Sequence, residues 1–119
     1  MNTQHQTYSL TPGANWDRVG PQYTITVAPK LLLQHYGYPA SDNDSESLGT
    51  YVFSSKDGAV VTVYQRAYDI FPLFITAYRW WFWRSENPTE LTVAAEQRSH
   101  AEDFCRWLSL SMQLEAAPR

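Results

Sequence analysis

The stretch Thr50-Tyr51-Val52-Phe53-Ser54-Ser55-Lys56-Asp57-Gly58-Ala59-Val60-Val61-Thr62-Val63-Tyr64 decides the fold. Two β-branched, aromatic runs flank a Ser-Lys-Asp-Gly connection. Asp-Gly supplies the positive φ that a tight hairpin demands. Two strands alone are marginal in water, so this hairpin needs further strands or a helix against one face. Upstream, Tyr23-Thr24-Ile25-Thr26-Val27 alternates with period two and reads as a strand. Downstream, Glu90-Leu91-Thr92-Val93-Ala94 reads as another.

Helices bracket these strands. Pro29 opens Lys30-Leu31-Leu32-Leu33-Gln34-His35-Tyr36 and Gly37 closes it, the proline-first, glycine-last asymmetry of a short helix. Ser99-His100-Ala101-Glu102 has the form of a capping box and starts a helix expected to run from Ser99 to Leu114. On a helical wheel Ala101, Phe104, Cys105, Trp107, Leu108 and Met112 share one face, opposite Glu102, Arg106, Ser109 and Gln113. Met1 to Pro21, with Pro12, Gly13, Gly20 and Pro21, reads as an irregular lead-in anchored by Trp16. Pro39 to Gly49, rich in Ser, Asp and Asn, reads as a loop. The expected fold is an α+β domain: an antiparallel sheet of about four to five strands with one principal C-terminal amphipathic helix. The domain spans residues 22–115, after a lead-in of residues 1–21 and before a frayed tail at residues 116–119.

Trp80-Trp81-Phe82-Trp83 is the most unusual run in the chain. Four successive side chains spread over about 300° of a helix, and alternate between two faces of a strand. No regular backbone points all four into one core. Either both faces are covered by the rest of the fold, or part of the run is a contact surface. Aromatic density from Tyr68 to Ser85 suits a pleated surface and favours a strand through Phe82, broken by Asn87-Pro88.

Composition excludes several function classes. The 119 residues suffice for one core without staples, and 44% are hydrophobic. The net charge is -3 and the nine Lys and Arg are scattered singly, so nucleic acid is not an expected partner. The single cysteine, Cys105, rules out an internal disulfide and a CxxC site, and suits a reducing compartment. The polar start, Met1 to Leu10, lacks the apolar stretch of a secretory signal, which points to the cytoplasm. On that reading the glycosylation triplet Asn43-Asp44-Ser45 has no use. The apolar stretch from Ile70 to Trp83 contains Pro72 and Arg79. It is too short for a spanning helix, which needs roughly 20 residues, and it lacks basic flanks, so membrane contact is not expected.

Candidate chemistry is sparse. Asp42-x-Asp44-x-Glu46 resembles the start of a calcium loop, but Ser47 occupies the glycine position and Phe53 that of the closing carboxylate. Glu96 and His100 are spaced as helical metal ligands, but a cap at Ser99 leaves Glu96 outside the helix. His100 is expected as a hydrogen-bonded structural histidine, His35 as a charge at a helix end, and His5 as part of the tail. Cys105 falls on the apolar face and is expected to be an inert thiol. GxSxG, Walker, GxGxxG and HExxH motifs are absent from the sequence, and no catalytic residue, metal ligand or cofactor is expected.

From Leu31 to Leu108 the order of elements resembles small bacterial domains of unknown function, some of them immunity-protein-like. The residues that carry this are the loop Gly37-Tyr38-Pro39-Ala40-Ser41-Asp42, the hairpin from Tyr51 to Tyr64 and a closing helix with Trp107-Leu108. Phe71 to Trp83 departs from that pattern as an enlarged aromatic insertion. The resemblance implies a protein partner, a cognate secreted toxin, and no catalytic residues. The expected contact set is Tyr78, Trp80, Trp81, Phe82 and Trp83 as anchors, with Asp42, Asp44 and Glu46 meeting a basic surface. Two alternatives stay open. One is a small-molecule binder or small enzyme with an aromatic-lined pocket; the other is a homo-oligomeric structural component that buries the run against its own copy.

Overall fold

The computed structural model describes residues 7–15, 18–39, 47–66 and 75–112. The elements are β1 (Tyr8–Leu10), β2 (Gly20–Val27), α1 (Pro29–Tyr36), β3 (Ser47–Ser55), β4 (Val60–Arg66), α2 (Ile75–Trp83), β5 (Thr89–Ala95) and α3 (Arg98–Ser111). The strands form one five-stranded sheet in the order β1-β3-β4-β5-β2. Every neighbouring pair is antiparallel. With the C-terminal helix laid against it, this is the α+β architecture expected from the sequence.

The hairpin forms where Asp-Gly places it. Phe53 faces Val61 and Ser54 faces Val60 across the turn. Gly58 adopts φ +92 and donates its N–H to the Ser55 carbonyl at 3.0 Å. The pleat turns Tyr51, Phe53, Val61 and Val63 to the helix-covered face, where all are buried with Leu91 and Val93 of β5. Helix α3 closes this face with Phe104 and Leu108. The Phe104 ring meets Tyr8 edge-on at 5.2 Å and Phe53 at 4.9 Å. Helix α1 starts at Pro29 and ends at Gly37, whose φ is +76 and whose N–H caps the Leu33 carbonyl at 2.9 Å.

Four local expectations change. The segment expected as a strand through Phe82 is the helix α2. Aromatic β propensity reflects fit to a half-buried pleated surface. A helix can root one of these rings in the core without a place in the ladder, and α2 packs on β3 and α1 outside the sheet. The lead-in contains β1, paired Tyr8 to Ser55, and β2 starts at Gly20. Three residues carry too little periodicity to announce a strand. The expected Pro39 to Gly49 loop gives way to strand at Ser47. The capping box does not form: α3 starts at Arg98 behind Gln97, which makes no side-chain cap bond. Glu102 instead faces Arg98 one turn back, at 3.4 Å, and accepts from Tyr23 Oη at 3.4 Å. The expected helix residues Gln113 and Leu114, the anchor Trp16 and the tail with His5 lie outside the described residues.

Candidate functional site: an aromatic helix face and a cationic cleft

Helix α2 divides the aromatic run. Trp83 is fully buried, whereas Trp81 is 68% exposed, Trp80 51% and Tyr78 42%. Phe82 is half-buried and packs edge-on against Trp83 at 4.8 Å. The 100° step of the helix produces this division. Trp83 therefore leaves the expected contact set and joins the core. Its indole N–H donates to the Leu48 carbonyl at 2.7 Å, and its ring meets Tyr51 edge-on at 5.2 Å. Leu48 and Gly49 lie in the register break between Ser47 and Thr50, with no Cα partner on β4. The indole supplies a donor where the ladder is interrupted.

Beside this face lies a cleft of about 380 Å³. Tyr38, Pro39 and Gly49 form one side, and Trp80 and Trp83 the other. Leu48, Arg79 and Arg84 complete the lining among the described residues, none of which there is a carboxylate. Arg84 follows Trp80 by one helical turn. Its guanidinium carbon stands 3.9 Å from the Trp80 ring centre and 5.0 Å from that of Tyr38. Its Nη1 donates to the Trp80 carbonyl at 3.1 Å. Gly49 makes this side possible: its φ is +122, and a Cβ there would stand 2.7 Å from Pro39 Cγ. The cleft thus combines aromatic walls with positive charge in a chain whose net charge is negative.

The structure brings Tyr78, Trp80 and Trp81 together on α2, while Asp42, Asp44 and Glu46 lie outside the described residues. Sequence reasoning missed Arg84, Arg79, Tyr38, Pro39 and Gly49 as site residues. The Trp80–Arg84 pairing is an i, i+4 signal once the segment is read as a helix. Tyr38 reaches the cleft through a tertiary contact that no local pattern announces.

The remaining candidates stay apart from this site. Cys105 is partly buried, and burial, reinforced by Glu102, pushes its thiol up to about 12, which suits an unreactive sulfur. Glu96 precedes α3 and faces Arg18 at 3.9 Å. His35 places Nδ1 3.0 Å from the Leu31 carbonyl. His100, expected to be hydrogen-bonded, has a buried Nδ1 with no hydrogen-bond partner among the described residues. Among the described residues no three His, Cys, Asp or Glu side chains are grouped to hold a metal ion. Among the same residues no helix is long and apolar enough to cross a membrane. No protein-family model matches the chain, and no curated protein matches it.

Proposed function

We propose that this chain is a non-catalytic protein-binding domain whose contact face is the exposed side of α2. The carrying observation is that Tyr78, Trp80 and Trp81 stand in solvent on one helix while Trp83 roots that helix in the core. Water contact with large apolar rings is unfavourable by about 25 cal/mol per Å², and a partner that covers them recovers this. Tryptophan and tyrosine on a rooted helix lose little side-chain entropy on binding, which makes them effective anchors. The partner of most concrete chemistry is a secreted bacterial toxin, occluded as a cognate immunity protein would occlude it. The similarity of the hairpin and the Trp107-Leu108 helix to immunity-like domains supports that choice. Asp42, Asp44 and Glu46 add negative charge that would speed encounter with a basic toxin surface.

Calorimetric titration with the secreted protein encoded beside its gene tests this. Trp81→Ala should weaken binding about 30-fold, the equivalent of 2 kcal/mol at a contact anchor, and leave the melting temperature unchanged. Equal affinity of variant and parent refutes the assignment of the face. A neighbourhood of metabolic enzymes without a secreted protein removes the toxin reading. The cleft favours a second reading, a small-molecule site, since its volume of about 380 Å³ is on the scale of ligand pockets. In that case Trp80→Ala weakens binding of the ligand while Trp81→Ala does not.

A further inference from the structure

We infer that the cleft beside α2 is a specificity pocket for a carboxylate carried next to an apolar side chain on the protein partner. The inference rests on the protein-binding reading and adds the chemistry that this one site selects. Arg84 is its central residue. A guanidinium offers two kinds of surface: faces that stack on aromatic rings, and edges that carry N–H donors in the plane. In Arg84 the ring contacts go to Trp80, at 3.9 Å, and Tyr38, at 5.0 Å. One N–H goes to the Trp80 carbonyl. Among the described residues no carboxylate pairs with Arg84. The other edge donors therefore remain for an incoming group, in an orientation fixed by the stacking.

The chemistry of that group follows from the surroundings. Arg84 brings positive charge to the cleft, and among the described residues none of the lining is acidic, so the complement is an anion. The walls contributed by Leu48, Trp80, Trp83 and Pro39 are apolar, so the anion comes attached to an apolar body. A planar carboxylate matches a guanidinium edge with two parallel N–H···O bonds. Aromatic cover on Arg84 keeps water from part of the pair and strengthens it. The source is a protein because the cleft is continuous with the exposed face: Trp80 lines the cleft and is half exposed beside Trp81. A peptide can place its acid in the cleft and continue across α2.

N-acetylphenylalanine and N-acetylphenylalaninamide are suitable probes, since they differ only in the carboxylate. Two-dimensional amide spectra of the ¹⁵N-labelled domain report the indole N–H groups of Trp80 and Trp83. The acid should shift both and bind at least tenfold more tightly than the amide. Arg84→Gln should abolish this preference, and Arg84→Lys should retain part of it because the charge survives without the planar fork. Unchanged melting temperatures show that both variants keep the fold. Equal binding of acid and amide, shifts confined to other residues, or an unaffected Arg84→Gln variant overturns the inference. Should the inference fail while Trp81→Ala still weakens partner binding, the protein-binding reading stands. If the acid is selected but Trp81→Ala binds the partner normally, the cleft is a carboxylate pocket without the proposed peptide continuation, and the inference fails as stated.

Discussion

Replacing Trp83 by phenylalanine separates the two roles that α2 gives to its aromatic run. The indole N–H of Trp83 is 2.7 Å from the Leu48 carbonyl, both inside the protein. Phenylalanine keeps an aromatic ring against Tyr51 and Phe82 but removes that donor. A buried carbonyl left without its partner costs about 1–3 kcal/mol. Loss of the pyrrole portion of the ring adds about 1 kcal/mol through vacated core volume. The sum is about 2–4 kcal/mol, a large part of the roughly 5–15 kcal/mol that holds such a domain together. With a urea slope of about 1.5 kcal/mol per molar, the midpoint should fall by about 1–3 M. Trp81→Ala, on the solvent side of the same helix, should change stability by no more than about 0.5 kcal/mol. Urea unfolding followed by far-ultraviolet circular dichroism measures both. If Trp81→Ala is the more destabilising of the two, the rotation assigned to α2 is wrong.

Leu108→Ala should cost about 2–5 kcal/mol, because Leu108 is fully buried under α3, and a midpoint equal to the parent's would refute that packing. Gly49→Ala should destabilise by about 1–3 kcal/mol and displace Pro39, since φ +122 and the 2.7 Å approach both oppose a Cβ; unchanged stability and cleft spectra would contradict this. Stability should fall in alkali. Cys105 is raised from 9.0 to about 12, and Tyr8, Tyr36 and Tyr51 are raised above 10.0 mainly by burial, so the unfolded chain gives up these protons first. Their contribution is complete below about pH 9 and is lost as pH rises through the folded values; a melting temperature unchanged between pH 8 and pH 11 would count against it. Thiol labelling of Cys105 at pH 8 should be slow in the native protein and fast in denaturant, and rapid native labelling would show an accessible thiolate.

The legible parts of the fold were those with a local cause. Asp57-Gly58 specifies a turn by backbone sterics, Pro29 and Gly37 bracket α1, and the alternation in β2 turns Ile25 and Val27 to the core. The misread parts had competing local causes or none. The run through Phe82 has β propensity, yet it forms a helix whose Trp83 is anchored in the core. β1 is three residues recruited to β3, with Tyr8 Oη donating to Asp103 Oδ2 at 3.0 Å, a pairing 95 residues apart in sequence. Of the site, the exposed Tyr78, Trp80 and Trp81 could be named from their bulk alone. Reading the run as a strand paired Trp81 with Trp83 on one face, whereas the helix sends one outward and the other inward. Arg84 became visible only after that assignment, because its contact with Trp80 needs the i, i+4 geometry of a helix.

The central claim is that α2 uses Trp83 to hold itself in the core and the rings of Trp80 and Trp81 to meet a partner. Fluorine spectra of the domain carrying 5-fluorotryptophan, assigned with single Trp→Phe variants, test it most directly. The titrant is any secreted toxin that a survey of the neighbouring genes identifies. At saturation the Trp80 and Trp81 signals should move and the Trp83 signal should stay in place. Unmoved Trp80 and Trp81 signals in a saturated complex would contradict the claim.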